Sequence, residues 1–426
     1  MKLAVKRSTL RGNVGIPGSK SHTIRAVALG SLASGTSRIT APLESADTQA
    51  AVAAYRRLGA QIQCGREEWV ITGTAGRIVA PGEQIDVQNS GTTLRIAAGS
   101  AALAKSGRTV MTGDHQIRSR PIEPLLRSLN DLGASCRSIE GTGTAPIEIC
   151  GALRGGNTSI AAITSQYLTS LLINAPLARR DTRIEVTQLN EAPYVEITLR
   201  YLDEQEIQYR HKNLIQFQIK GGQSYHAFEK RIAADFSSAT FFLCAGAILD
   251  ADIVLEGLDF SDAQGDKAVV NVLQDMGADI GISDEGVTVK KHELHGITVD
   301  MNAIPDALPA LAVTACFAQG TSRFHNVAQA RLKETDRIAV MARELGKLGA
   351  QIEETPDGLI IHGGAKLTAA PVDGHHDHRV VMALSLAGMA LEEELTITTA
   401  EAINVTFPRY VDLMNGLGAQ MKVVEG

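Results

Sequence analysis

Aromatic side chains are scarce in this chain. Phe, Trp and Tyr together make up 4% of it, and Trp69 is the single tryptophan. With so few stacking platforms, and no interleaving of aromatic with basic residues, base-stacking recognition of nucleic acid has nothing to build on. The charge balance points the same way. Lys and Arg number 41 against 47 Asp and Glu, a net −6, so bulk electrostatics repel nucleic acid and anionic membranes. An anionic ligand must therefore be held by a local basic cluster.

Cysteine is sparse too. Cys64, Cys136, Cys150, Cys244 and Cys316 are odd in number and scattered, with no C-x-x-C pair. That argues against a disulfide framework or a Cys-based zinc site, and for a reducing compartment. Residues 1–12 carry four basic residues but no apolar stretch of signal-peptide length. The longest apolar runs, such as 239–249, reach only about half of what a membrane-spanning helix needs. The expectation is a soluble, cytoplasmic protein.

What the chain does have is length, small residues and order. Its 426 residues suit two domains rather than one core. A 44% hydrophobic share with 21% charged residues supplies both an interior and a solvated surface. Forty glycines and plentiful alanine favour tightly packed helices.

An amphipathic stretch ending in Leu-Gly-Ala and leading into a strand recurs at 55–62 (YRRLGAQI), 129–136, 273–280, 345–352 and 414–421, with a degenerate copy at 202–209 (LDEQEIQY). Taking Gly59, Gly133, Gln205, Gly277, Gly349 and Gly418 as markers, the steps are 74, 72, 72, 72 and 69 residues, so six units fill the chain. Between the markers lies a second series of polar heads, each followed by a run rich in Ala and Leu. The heads are Ser19-Lys20-Ser21, Asn89-Ser90-Gly91-Thr92, Thr164-Ser165-Gln166, Asp235-Phe236-Ser237-Ser238, Pro305-Asp306 and Asp377-His378-Arg379. Runs that are apolar on nearly every face predict helices buried all round. The heads read as N-caps, and Gly35 and Gly107 sit where a C-terminal cap belongs. Each unit thus reads as strand, buried helix, strand, amphipathic helix, strand. Three units per compact body put a boundary near residues 229–235, and the N-terminal strand is free to pair with the last unit.

Each buried helix begins with unpaired N–H groups and a partial positive charge. Parallel helices in two bodies facing across a cleft would aim six such beginnings at one volume, an anion trap that needs no metal. Lys20, Arg25, Arg95, Arg118, Arg120, Lys333, Arg337 and Arg379 cluster at or near these points, although the macrodipole disfavours cations there. Phosphates and carboxylates are the natural ligands, since Arg forks both. Asp306 and Glu334 lie among the bases, and two carboxylates in a basic anion site suit general base and general acid work. His375-His376-Asp377-His378 has ligand-type residues for zinc but no clear fourth ligand. It reads as a loop feeding a helix.

Gly18-Ser19-Lys20-Ser21-His22-Thr23-Ile24-Arg25, Asn89-Ser90-Gly91-Thr92-Thr93-Leu94-Arg95, Arg118-Ser119-Arg120-Pro121, Thr164-Ser165-Gln166, Ile304-Pro305-Asp306, 332–337 (LKETDR) and Asp377-His378-Arg379 together resemble the signature set of the 5-enolpyruvylshikimate-3-phosphate (EPSP) synthase family of enolpyruvyl transferases. The likeness runs from about residue 8 to the C-terminus. It implies an α/β fold of two similar domains, 1–19 with 233–426 and 20–232. Each would hold three β-α-β-α-β-β repeats with buried parallel helices (an inside-out α/β barrel), and two crossover strands would join them.

The resemblance also implies the reaction. The 5-hydroxyl of shikimate 3-phosphate attacks C2 of phosphoenolpyruvate, and the tetrahedral adduct loses phosphate to give the enol ether on the way to chorismate. Catalysis would fall to Asp306, Glu334 and Lys20. Shikimate 3-phosphate would be bound by Lys20, Ser21, Arg25, Thr164, Ser165, Gln166, Asp306, Gln329 and Lys333. Phosphoenolpyruvate would be bound by Lys20, Gly91, Arg120, Gln166, Arg337 and Arg379, with Gly91 leaving room for the small carboxylate. No metal or organic cofactor is implied, and a monomer without nucleic-acid or membrane partners is expected. Because each half supplies only part of the cationic shell, ligand binding is expected to draw the halves together.

The chain departs from the family pattern at Ala192-Pro193-Tyr194, where a serine hydroxyl often contacts the shikimate phosphate, at Val405, where some members have lysine, and at Gln329, where an asparagine is frequent. The nearest rival is the UDP-N-acetylglucosamine 1-carboxyvinyltransferase of cell-wall synthesis, which typically carries Cys where His115 stands here. LKETDR argues against it. A non-catalytic repeat protein binding phosphorylated ligands would explain the bases but not the acids among them.

Overall fold

A computed structural model describes residues 1–425. The chain divides into two compact units, one formed by Gly18–Ala233 and the other by Met1–Pro17 with Ala234–Gly426. Where the sequence places the edges at 19/20 and 232/233, the units part at 17/18 and 233/234.

Each unit contains three four-stranded sheets of one pattern: a parallel pair of strands followed by two antiparallel neighbours. In the third repeat, Gly156–Ala162 runs parallel to Thr182–Leu189, which pairs antiparallel with Gln216–Ile219, and that strand with Tyr209–Lys212. The buried helix Ser165–Asn174 makes the crossover between the parallel strands, and Ala192–Glu204 is the amphipathic helix that follows.

The strands that open repeats one and four are exchanged. Leu10–Gly15 precedes the first buried helix, Lys20–Leu32, yet it pairs with Ala251–Glu256 in the other unit's sheet. Glu229–Arg231 precedes helix Phe236–Ile248 but pairs with Thr36–Thr40. These are the two crossover strands. The N-terminal strand Lys2–Lys6 joins the last repeat, lying antiparallel between Leu395–Thr398 and Gln420–Val424.

The six helices behind the polar heads are buried nearly all round, as their unbroken apolar runs require; every residue of Phe236–Ile248 is buried. Side-chain size controls how closely they pack. A Cβ on Gly99 would come within 2.5 Å of both Asn174 Nδ2 and Ser170 Oγ, so helix Gly91–Ala101 meets Ser165–Asn174 through a missing side chain. The amphipathic helices keep Arg56, Arg57, Arg127, Asp131, Arg343 and Lys347 in solvent. Each fully buried Leu, Ile or Phe on the opposite face contributes about 1.5–3 kcal/mol.

Turn chemistry explains the markers and corrects three expectations. Gly59, Gly133, Gly277, Gly349 and Gly418 all have φ between +95° and +111°, the left-handed residue that ends each amphipathic helix. In the degenerate repeat that position is Glu206, at φ +55°, not Gln205, which still caps the helix Ala192–Glu204. Gly35 and Gly107 are not helix caps. Their helices stop earlier, at Leu32 and Ala101, and the two glycines turn the chain into strands Thr36–Thr40 and Arg108–Thr112. Nor do all six heads cap. Ser90, Thr164, Asp235 and Asp377 accept backbone N–H bonds, whereas Ser19 makes no capping bond and Pro305-Asp306 forms a short 3-10 turn before helix Leu308–Cys316.

Burial pushes the thiols of Cys136, Cys244 and Cys316 up to about 12, so they stay protonated and behave as small apolar groups. Among the described residues no helix is long and apolar enough to cross a membrane, and no group of three or more His, Cys, Asp or Glu could hold a metal ion.

Candidate active site

In the unit Gly18–Ala233 the three buried helices begin side by side. Gln166 Nε2, at the start of the third helix, donates to Thr92 Oγ1 at the start of the second (3.0 Å), and Arg95 Nη1 donates to Gln166 Oε1 (3.1 Å). Arg25, in the second turn of the first helix, reaches Thr169 Oγ1 in the second turn of the third (3.2 Å). The helices therefore run parallel with their positive ends gathered.

Arg25 is the most buried cation of this group, 2% exposed. Its bonds go to Thr198 Oγ1, the Ser21 carbonyl, Thr169 Oγ1 and the Tyr194 carbonyl, all uncharged oxygens. Burial pushes its pKa down to about 10, against the opposing influence of Tyr201 and Tyr194. A buried guanidinium whose partners are all neutral is poised for an anion. Lys20, by contrast, already has one: its Nζ is 3.1 Å from Asp47 Oδ2.

Gly91 has a role the sequence did not reveal. A Cβ there would lie 2.5 Å from Arg95 Nη1 and 3.0 Å from Arg120 Nη1, so its absence lets two guanidinium groups lie over the helix beginning. Arg95 is 4% and Arg120 7% exposed. Burial, reinforced by repulsion from Arg120 and opposed by Tyr167, lowers the Arg95 pKa. Arg120 is steadied by Asn89 Oδ1 at 3.4 Å. Arg118 lies apart from this group, bonded to Thr112 and the Gly113 carbonyl.

In the other unit the helix beginnings also meet. Arg379, on helix His378–Ala390, donates to Ser237 Oγ at the start of Phe236–Ile248 (2.7 Å) and to the Asp306 carbonyl (3.3 Å). Asp306 lies among three cations: Arg337 Nη1 at 2.7 Å, Arg379 Nη2 at 3.3 Å and Lys333 Nζ at 3.8 Å. Arg337, with a side chain 1% exposed, also holds Glu334 Oε2 (2.6 Å) and Asp377 Oδ2 (2.8 Å). Burial alone would raise the Asp306 pKa. Arg379, Lys333 and Arg337 overcome it and hold the carboxyl well below the usual carboxylate range.

Asp377 acts twice, fixing Arg337 and accepting the Arg379 backbone N–H (2.8 Å). The sequence marks it only as a cap. Gln329 is brought near but not into the cluster; it is buried and donates to the Asn302 carbonyl (3.3 Å). The histidines of the His-rich run are spread out: His375 bonds Glu344 and Arg343, His376 lies near Glu401, and His378 is buried beside Asp377.

The residue missed altogether is Glu191, just ahead of Ala192-Pro193-Tyr194. Its Oε2 accepts from Ser165 N (3.1 Å), Ser165 Oγ (2.8 Å) and Thr164 Oγ1 (3.2 Å). Where a serine hydroxyl was expected to be lacking, a carboxylate oxygen stands beside the head. An acidic residue directly before Ala-Pro at a helix start was the available signal.

The family profile described as EPSP synthase (3-phosphoshikimate 1-carboxyvinyltransferase) matches residues 5–414. The chain belongs to the EPSP synthase family. The 3-phosphoshikimate 1-carboxyvinyltransferase of Ruminiclostridium cellulolyticum is 49% identical over 424 residues, covering 100% of both chains. The protein of the same name from Methanocella arvoryzae is 45% identical, covering 98% of this chain and 99% of the relative. Among solved structures, an EPSP synthase from Acinetobacter baumannii superposes with a TM-score of 0.83 at 27% identity, with full coverage of both chains. The fold expected from the resemblance, two α/β domains of repeated sheets and buried helices, is the fold of this EPSP synthase family member.

Proposed function

We propose that the protein transfers the 1-carboxyvinyl group of phosphoenolpyruvate to the 5-hydroxyl of shikimate 3-phosphate with release of phosphate. The observation that carries this is the chain-long likeness to 3-phosphoshikimate 1-carboxyvinyltransferases at up to 49% identity. The chemistry is supported by a carboxylate, Asp306, set among Arg337, Arg379 and Lys333 at gathered helix beginnings.

In this reading Arg25, Lys20, Ser21, Thr164, Ser165 and Gln166 bind shikimate 3-phosphate, with Gln329 and Lys333 assisting. Lys20, Gly91, Arg120, Gln166, Arg337 and Arg379 serve phosphoenolpyruvate. Asp306 orients the 5-hydroxyl and takes its proton as the oxygen attacks C2. Glu334, with Lys20, delivers a proton to C3, which makes C2 electrophilic. The adduct then expels phosphate, whose charge the guanidinium groups stabilise, and loses a proton from C3. The lowered pKa of Asp306 makes it a weak base while its three cations face it alone. Substrate phosphate and carboxylate draw those cations off, and the basicity of Asp306 rises when it is needed. A monomer working in the cytoplasm is part of the same proposal.

Phosphate release from phosphoenolpyruvate tests it. Release should require shikimate 3-phosphate and should not occur with UDP-N-acetylglucosamine as acceptor. Release supported by the nucleotide sugar, or by neither acceptor, would contradict the assignment.

A further inference from the structure

Glu191 occupies ground that an anionic substrate needs. It follows strand Thr182–Leu189, is 2% exposed and holds φ at +60°, a left-handed conformation that carries a strain cost for a non-glycine residue. Its side chain justifies that cost. Three donors at the first turn of Ser165–Asn174 converge on one carboxylate oxygen. A carboxylate is favoured at such a helix beginning for the same reason a phosphate is. Thr164 and Ser165 are the donors assigned above to shikimate 3-phosphate, so the inference rests on that reading.

A second observation shows that this ground suits an incoming anion. Arg25, buried and bonded only to uncharged oxygens, touches Thr169 one turn further along the same helix and the Tyr194 carbonyl three residues beyond Glu191. Arg95 and Tyr167 also feel the charge of Glu191. Around the carboxylate stand the donors of Thr164 and Ser165 and, beyond them, Arg95 from helix Gly91–Ala101 and the phenol of Tyr167. A dianionic phosphate and a carboxylate sharing these donors repel one another, and one of them must lose charge.

We propose that Glu191 is a resident anion: substrate phosphate displaces it from Ser165 and Thr164, and its carboxylate takes a proton from solvent as the dianion binds. No bond other than O–H forms, and the phosphate keeps both charges. Glu191 is then a positioning residue that keeps the pocket ordered when empty and makes substrate affinity fall as pH rises.

Calorimetric titration of shikimate 3-phosphate at pH 7.5, in two buffers of different ionisation enthalpy, reads the proton count directly. The protein should take up about one proton per ligand bound. Glu191→Gln keeps an acceptor for Ser165 without the charge, should take up none, and should bind about tenfold more tightly. Absence of proton uptake by the unaltered protein overturns the proposal whether or not the variant folds. So does equal affinity and equal uptake in both proteins. If neither protein binds shikimate 3-phosphate, the functional reading falls and takes this inference with it, an outcome distinct from binding without uptake.

Discussion

Arg337 Nη1 lies 2.7 Å from Asp306 Oδ1, inside a cluster where the same guanidinium also holds Glu334 and Asp377. One buried cation thus positions both proposed acid–base residues, and the carboxylate at 0% exposure, Asp377, fixes the cation in turn. Asp306→Asn keeps the shape and removes the base. Turnover should fall by about 10²–10⁴-fold, with the affinity for shikimate 3-phosphate changed far less. Steady-state kinetics check this, and a near-normal turnover number would refute the role.

Asp306 also gives the protein a signature in acid. Its pKa is lower in the folded chain than in the unfolded one, so the stability it contributes is complete above the ordinary carboxylate pKa of about 4. That stability drains away as pH falls from there towards the lowered native value. As pH falls from about 5 to about 2, the melting temperature of Asp306→Asn should therefore fall less steeply than that of the unaltered protein. Parallel curves would show that the three cations do not act on this carboxyl.

Arg25 presents the opposite case, a buried charge among neutral partners. In Arg25→Met those partners retain one another, since Thr169 and Thr198 are 3.1 Å apart and Thr198 donates to the Tyr194 carbonyl. The variant should melt no lower than the parent, because a well-packed apolar replacement of a buried charge is often neutral or stabilising. Shikimate 3-phosphate at a hundredfold excess over its Kd should raise the parent's Tm by about 3 °C and leave the variant unmoved. A ligand-induced shift that survives the substitution would remove Arg25 from the phosphate site.

Gly91→Ala places a methyl group against both Arg95 and Arg120. Displacing these guanidinium groups should raise KM for phosphoenolpyruvate about tenfold or more, the scale of modest overpacking, while KM for shikimate 3-phosphate changes little. An equal rise in both constants would point to general damage at the helix beginning.

Periodicity made the repeats legible because every amphipathic helix ends on a residue with positive φ, and glycine is the residue that takes it without strain. The same logic failed where Glu206 accepts the strain, which shifted one marker by a residue. The exchange of Leu10–Gly15 and Glu229–Arg231 was not legible strand by strand, since pairing across the chain leaves no local pattern. At the candidate site the motifs named the charged residues but not their company. That Gly91 makes room for arginines, or that Glu191 fills the head of the third helix, depends on distances between segments far apart in sequence.

Turnover in D₂O tests the central chemistry most directly. Addition–elimination passes through an adduct whose C3 is a methyl group, so C3 takes a deuteron from solvent as the adduct forms, and part of it stays when a hydrogen is lost from C3 with the departure of phosphate. Mass spectrometry of the enol ether formed from shikimate 3-phosphate and phosphoenolpyruvate should show deuterium on the vinyl carbon, and Glu334→Gln should form product far more slowly. Product formed at full rate with no deuterium at that carbon would contradict the account.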